Sequence, residues 1–114
     1  MTPDTLEIQP VPRADGEELE LAGELTLATV TGLQDHLAEA ELARPALLVL
    51  DLRRVRFIES TGLAELVAAQ KRGRRDGRRL VLVMSPGPVE RLLALTGLDR
   101  QLETVVQPPG AVVL

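Results

Sequence analysis

The chain has 114 residues, of which 45% are hydrophobic and 26% are charged, and its formal net charge at pH 7 is −4. This size and composition predict one globular domain. Because the chain has no cysteine and only one histidine, disulfides, thiolate nucleophiles, iron–sulfur clusters and multi-histidine metal centres are excluded, and we expect no metal and no cofactor.

The first half of the chain predicts a β-hairpin, an amphipathic helix and a buried strand. Apolar and polar residues alternate in Leu6–Gln9 and again in Glu18–Leu21, on either side of the turn signal Asp15-Gly16, which is typical of two antiparallel strands. Apolar residues then recur at spacings of three and four and predict a helix over about 28–43, with a threonine hydroxyl at or near its start. The aliphatic run over 46–52 has the length and composition of a strand that is covered on both faces.

The rest of the chain alternates helices with strands and predicts an α/β domain. The second helical pattern, after Ser60, should end near Asp76-Gly77, because glycine readily adopts the left-handed conformation that closes a helix. Helices between buried strands favour a mixed sheet of four or five strands with about three helices, in a single domain over residues 1–114. The remaining elements are a buried strand at Leu80–Met84, a loop at 85–88, a third helix at Val89–Leu95 that is stopped by Thr96-Gly97, and a last strand at Leu102–Val106.

Several classes of function are disfavoured by what the sequence lacks. One Phe and no Trp or Tyr leave almost no aromatic surface for stacking on single-stranded nucleic acid, and the chain is acidic, so we expect no nucleic-acid partner. No apolar stretch approaches the ~20 residues of a membrane span, and residues 1–20 lack the basic start and apolar run of a signal peptide. We therefore expect a cytoplasmic protein that does not insert into a membrane.

Catalytic motifs are also missing. The chain has no GxxxxGK[ST] loop for phosphates, and the residues around Ser60 do not form the G-x-S-x-G turn of a serine hydrolase. His36, the sole imidazole, falls on the polar side of the first helix, where a solvated histidine is the simplest interpretation. The sequence therefore predicts no catalytic residues and no enzyme activity.

Ser60 stands where the second helix begins, after a buried strand and the short extension Val55–Ile58. From this position its hydroxyl is predicted to cap the free N–H groups of the first turn. Gly62 lowers the helix propensity of that turn, and one interpretation is that it lets the backbone of a partner approach closely. A helix cap and a functional site are both consistent with this pattern.

The segment Phe57–Leu63, with the sequence FIESTGL, resembles the Asp-Ser-[Ser/Thr]-Gly-Leu signature of STAS domains in the anti-sigma factor antagonist family. Three more stretches match that family in order and spacing, namely Gly23-Glu24-Leu25, the strand at 47–52 and the helix with its exit at Arg91–Leu98. The resemblance implies a STAS-like α/β fold. Most relatives end with another helix, which we expect to be absent or reduced here, because only Ala111 to Leu114 follow Pro108-Pro109-Gly110.

The resemblance covers about residues 5–106 and implies a bacterial regulatory switch rather than an enzyme. In such proteins the first hydroxyl residue of the signature, here Ser60, is phosphorylated by an anti-sigma factor that is itself a serine kinase, and Thr61 is the second choice. The unphosphorylated form binds the kinase and releases a sigma factor, and a serine phosphatase restores that form. We expect a monomer or a weak dimer. The partner-binding residues that the resemblance implies are Glu24, Thr26, Glu59, Ser60, Thr61, Gly62 and Leu63.

Two residues depart from the family pattern, and other roles stay open. Glu59 stands where the family usually has Asp, and Thr26 stands where many members have Asp. Both differences bear on recognition by a kinase.

The arginine-rich run over 72–79 is typical of a solvated helix end, although contact with an acidic partner surface is an alternative. Related STAS domains also act as scaffolds of stress-sensing complexes and as accessory subunits of lipid or anion transport systems.

Overall fold

Five strands and three α-helices alternate along residues 4–112, the part of the chain that the computed structural model describes. This alternation confirms the predicted α/β fold. One strand is longer than predicted, because the run at 46–52 and its extension at 55–58 belong to one continuous element. The elements are β1 Leu6–Pro12, β2 Glu17–Leu25, α1 Val30–Leu42, β3 Leu47–Ile58, α2 Ser60–Asp76, β4 Arg79–Met84, α3 Pro88–Thr96 and β5 Glu103–Val106, with a short 3-10 turn at Leu98–Arg100.

The strands lie side by side in the order in which they occur in the chain. β1 pairs antiparallel with β2, as the alternating pattern predicts, and the pairs β2–β3, β3–β4 and β4–β5 are parallel. Connections between neighbouring parallel strands are almost always right-handed, so the three helices pack against the same face of the sheet. The parallel strands end at the same end of the sheet, and α2 begins there directly after β3.

An aliphatic core fills the space between the sheet and the helices. Alternate residues of the central strands point into this core, and the helices contribute leucines from the opposite side. Fully burying a Leu or Val side chain favours folding by about 1.5–3 kcal/mol, so a core without Trp or Tyr is still strongly stabilised. The leucines with no exposed surface are Leu21, Leu25, Leu33, Leu37, Leu50, Leu66, Leu82 and Leu93.

The other face of the sheet is covered by charged side chains and by the C-terminal tail. The Arg53 guanidinium pairs with Asp51 at 2.9 Å and donates hydrogen bonds to the carbonyl oxygens of Pro108 and Ala111, at 2.9 and 2.5 Å. The tail at 107–112 contains no helix. β3 is thus covered on both faces, as predicted, but by helices on one face only. The valines buried on the tail side are Val49, Val81 and Val83.

Glycines end two of the helices at the predicted places. Gly77 follows α2 with a φ of 72°, and Gly97 follows α3 with a φ of 76°. Both angles lie in the left-handed region, which residues with a Cβ rarely adopt, so each glycine stops its helix.

A partly buried group of charges joins α1 to α2. Arg72 of α2 donates to both carboxylate oxygens of Glu41 in α1, at 2.8 and 3.0 Å, and to Glu65 at 3.1 Å. Gln34 of α1 donates to the other oxygen of Glu65, also at 3.1 Å. Because Glu65 is buried, these two donors replace hydrogen bonds to water that its carboxylate loses on folding.

We expect Arg72→Ala to lower the free energy of unfolding by about 2 kcal/mol, because the buried Glu65 loses its cation and Glu41 keeps only its contact with Arg78 at 3.4 Å. Part of the Arg72 side chain is exposed to water, which keeps the effect below that of a fully buried pair. Arg75→Ala is the matched control, since the Arg75 side chain and its contact with Asp76 are exposed, and the expected loss there is clearly smaller. Urea unfolding of both variants measures the difference, and equal losses would contradict the role assigned to Arg72.

Candidate functional site

Two of the four stretches that carry the family resemblance, Gly23–Leu25 and Phe57–Leu63, meet at the carboxyl ends of β2 and β3. In the parallel pairing, Glu24 lies opposite Phe57 and Leu25 lies opposite Ile58. The N–H of Glu59 then donates to the carbonyl oxygen of Leu25 at 2.9 Å, and the chain turns into α2. The pairing therefore places the end of β2 beside the first turn of α2.

Ser60 is the first residue of α2 and is exposed. The N-cap position is occupied by Glu59, whose backbone is extended and whose carbonyl oxygen accepts the N–H of Leu63 at 3.1 Å. The prediction that Ser60 caps the helix is therefore wrong, because the helix begins at Ser60 rather than after it. Ser60 is instead presented to solvent at the helix end where N–H groups favour an anion.

The neighbouring hydroxyl, that of Thr61, faces the interior of the protein. Its oxygen is buried and has no hydrogen-bond partner among residues 4–112. A second protein can modify a hydroxyl only where it can reach the oxygen. The geometry therefore favours Ser60 over Thr61 as the accessible hydroxyl.

Gly62 is buried against the ends of β2 and β3. A Cβ on Gly62 would lie 2.5 Å from Cγ of Leu25 and 3.1 Å from Cγ2 of Ile58, closer than side chains normally approach. The expectation that Gly62 admits the backbone of a partner is therefore wrong, because the space in front of it is occupied by Leu25. Its role is to let α2 pack closely on the sheet.

Thr26 is also inside the protein, so the expectation that it contacts a partner is wrong. Only 1% of its surface is exposed, and its hydroxyl oxygen accepts the N–H of Ala28 at 3.1 Å. The threonine at the start of the first helix is Thr29, which occupies the N-cap of α1 as predicted. The Thr29 hydroxyl bonds to the backbone of Thr26 and Glu24 instead of the helix.

Glu24 is half-buried at the surface of the site. Its carboxylate pairs with Arg56 at 2.7 Å and accepts the N–H of Thr5 at 3.3 Å, and both contacts lower the pKa of Glu24, that with Arg56 most. A partner therefore meets Glu24 as a carboxylate that is already paired with a guanidinium. Leu63, in the first turn of α2, is half-buried and packs against the core.

Two exposed apolar side chains near Ser60 have no counterpart among the binding residues predicted from the sequence. Leu27, in the loop before α1, is 72% exposed, and Phe57, near the end of β3, is 51% exposed. Loops have no periodic pattern, so nothing in the sequence marks Leu27, whereas Phe57 belongs to the signature itself. We use the name Ser60 surface for Glu24, Leu27, Phe57, Glu59 and Ser60.

The arginine-rich end of α2 is largely paired within the protein. Among the described residues, all but one of the arginines in the run over 72–79 have a carboxylate neighbour. This favours a helix end that is stabilised by internal ion pairs over a contact surface for an acidic partner. The paired arginines are Arg72, Arg75, Arg78 and Arg79.

Residues 4–112 contain neither a membrane-spanning helix nor a cluster of metal ligands. None of the helices described there has the length and apolar character needed to cross a membrane. Nor do three or more histidine or acidic side chains of that region come together as a metal ion would require. His36 lies in α1, with Nδ1 2.9 Å from the carbonyl oxygen of Gly32 in the preceding turn.

A protein-family model matches most of the chain. The family is described as Mlab, STAS domain, and the match covers residues 11–107. The chain therefore belongs to this STAS-domain family. Comparison with curated proteins found no match.

Solved structures have the same fold. A crystal structure of an anti-sigma factor antagonist from Mycobacterium paratuberculosis has a TM-score of 0.82 and 24% identity, over 95% of this chain and 89% of that chain. The anti-sigma factor antagonist SpoIIAA in its unphosphorylated form has a TM-score of 0.74 and 17% identity, over 90% of each chain. A protein of the DUF3478 family with a SpoIIAA-like fold, from Shewanella loihica PV-4, has a TM-score of 0.62 and 10% identity, over 96% of this chain and 91% of that chain. The family match and these structures confirm the predicted resemblance to STAS domains of anti-sigma factor antagonists.

We expect Gly62→Ala to lower the free energy of unfolding by about 1–3 kcal/mol, because the added methyl group overlaps Leu25. Gly32→Ala is the matched control. Gly32 lies in α1 with open space at the position of its Cβ, so alanine should raise the free energy of unfolding by about 0.5–1 kcal/mol. Chemical unfolding gives both values. A Gly62→Ala variant as stable as wild type would show that α2 does not rest on Leu25 as described.

Proposed function

We propose that the protein is an anti-sigma factor antagonist, which acts as a binding partner and a phosphorylation substrate and not as an enzyme. In its unphosphorylated form it binds an anti-sigma factor that is a serine kinase, and so releases a sigma factor in the bacterial cytoplasm. Phosphorylation of Ser60 ends this binding, and a serine phosphatase restores it. The observation that supports the proposal most directly is the exposed Ser60 in the first turn of α2, within a STAS domain.

The start of α2 is suited to carry a phosphate. A phosphoserine brings about −1.5 to −2 charges, and the free N–H groups and the dipole at a helix N-terminus stabilise an anion. The fold therefore tolerates the modification. SpoIIAA, whose fold is similar, is described in an unphosphorylated form, and we propose a phosphorylated form of this chain at Ser60.

The phosphate should lower the affinity for the partner rather than the stability of the fold. The Ser60 surface combines exposed apolar area on Leu27 and Phe57 with carboxylates on Glu24 and Glu59, as in the centre and rim of a protein interface. A dianion at Ser60 would have to lose its water when a partner covers it, and it adds bulk at the contact. Since each ~1.4 kcal/mol changes affinity tenfold, a cost of a few kcal/mol is enough for a switch.

Two other roles of STAS domains make different demands on the chain. A scaffold of a stress-sensing complex requires large oligomers that form without a kinase, whereas we propose a monomer or a weak dimer. An accessory subunit of a lipid or anion transport system requires a component of that system as its partner. The accessible serine in the signature turn favours the phosphorylation switch over both.

Incubation with the cognate anti-sigma kinase and ATP should place a phosphate on Ser60. We expect this site because Ser60 is exposed, whereas the Thr61 oxygen is buried. Peptide mapping by mass spectrometry identifies the residue. Thr61→Val is the control variant and should still be phosphorylated, while Ser60→Ala should not. Phosphate found on Thr61 of the wild type would contradict the assignment.

Ser60→Ala should bind the kinase like the wild type, and Ser60→Asp should lose binding while it keeps its fold. Because Glu59 and not Ser60 is the N-cap, alanine should change the free energy of unfolding by less than about 0.5 kcal/mol. Aspartate in the first turn should add about 0.3–1 kcal/mol through the helix dipole. Calorimetric titration and thermal unfolding measure affinity and stability separately. If Ser60→Asp bound with wild-type affinity, the switch would be refuted.

A further inference from the structure

The loop between β2 and α1 is held by its own hydrogen bonds, with Leu27 as the exception. The N–H of Thr26 donates to Oγ1 of Thr29 at 2.9 Å, and the N–H of Ala28 donates to Oγ1 of Thr26 at 3.1 Å. The N–H of Thr29 donates to the carbonyl oxygen of Thr26 at 3.1 Å. The N–H of Leu27 donates instead to Oε2 of Glu59, at 3.0 Å. Glu59 therefore links this loop to the start of α2.

The carboxylate of Glu59 serves the neighbouring loop and not its own helix. A short polar side chain at an N-cap usually accepts an N–H of the first turn, but the Glu59 side chain forms no such bond in α2. Glutamate is one methylene longer than the aspartate that the resemblance led us to expect here. We attribute the contact with Leu27 to this additional reach.

The contact with Glu59 fixes a loop that carries an apolar side chain in water. Leu27 is 72% exposed, although its backbone N–H is held by a charge-assisted hydrogen bond. A side chain on a loop that is already ordered loses less entropy when a partner covers it, so it contributes more to affinity. Leu27 is therefore suited to be an apolar contact of the Ser60 surface.

We propose that Glu59 is a positioning residue that couples Ser60 to Leu27. The Glu59 carboxylate holds the loop in the conformation that presents Leu27 to the anti-sigma kinase, and a phosphate on Ser60 weakens this hold. The phosphate adds about −1.5 to −2 charges on the residue next to Glu59, and repulsion between the two anions favours a Glu59 side chain that is turned away. Leu27 then no longer offers a fixed contact. This inference rests on the proposed function.

Hydrogen exchange at the Leu27 amide, measured by NMR on the full chain, tests the coupling without a partner. We expect Glu59→Asp to exchange about tenfold faster than wild type at this amide, because a hydrogen bond to a charged group is lost. The helix itself should remain stable, since aspartate is a good N-cap. A chain with phosphoserine at position 60 should show a similar acceleration, while the amide of Leu50 in the core stays protected. Unchanged exchange at Leu27 in either protein would overturn the proposal.

Glu59→Gln separates the length of the side chain from its charge. Glutamine keeps the reach and a carbonyl acceptor, so exchange at Leu27 should be closer to wild type than in Glu59→Asp. Phosphoserine at position 60 should accelerate exchange less in the Glu59→Gln chain than in the wild type, because the repulsion is removed. An equal acceleration in both chains would show that the phosphate does not act through the charge of Glu59.

Binding to the purified kinase tests the contact made by Leu27. Leu27→Ala should weaken binding about tenfold or more, because apolar area that the partner covers is lost. Leu42→Ala is the matched control, since Leu42 is 82% exposed at the far end of α1, and it should bind like the wild type. If Leu27→Ala had no effect while Ser60→Asp lost binding, the Leu27 contact would be refuted and the antagonist function retained. If the wild type bound no kinase, the proposed function would fail, and the exchange rates would still decide whether Glu59 couples the two residues.

Discussion

The packing of the first turn of α2 against the end of β2 is the contact on which the site depends. Leu25 has no exposed surface, its carbonyl oxygen accepts the N–H of Glu59, and its side chain fills the space next to Gly62. These contacts fix the position of the helix start relative to the loop that follows β2. Ser60 and Leu27, on either side of this junction, are therefore held in one surface by a residue that a partner never touches.

Local patterns were sufficient to predict the elements of the fold and the N-terminal hairpin, but not the register of the parallel strands. Periodicity of apolar residues locates the helices, and Gly77 and Gly97 end two of them because of a conformational preference of the residue itself. The parallel pairing of β2 with β3 shifts register twice, near Ala22 and near Glu24, so β3 contains more residues than β2 over the same span. Such bulges result from contacts between strands and leave no local pattern, whereas the charged pair Arg53-Arg54 interrupts the aliphatic run, so Leu47–Ile58 could not be predicted as one strand.

The site could be found from the sequence, whereas the roles of its residues could not. The run from Phe57 to Leu63 identified the position of Ser60, because a family signature is a property of residue order. Whether Thr26 and Gly62 face a partner or the core depends on how β2 packs against α2. This packing joins segments that are distant in the sequence, so local patterns do not predict it. For the same reason the sequence showed Glu59 only as a departure from the family's aspartate. Its hydrogen bond to the N–H of Leu27 is a contact between two elements, which local patterns do not predict.

The nearly complete lack of aromatic residues has a consequence for spectroscopy. Without Trp and Tyr the protein absorbs very weakly in the near ultraviolet and has no tryptophan fluorescence. Its one phenyl ring, that of Phe57, is half exposed on the Ser60 surface and is not part of the core. The NMR signals of the Phe57 ring therefore come from that surface alone. Their chemical shifts should change when a partner covers the ring, while those of the leucine methyl groups in the core should not.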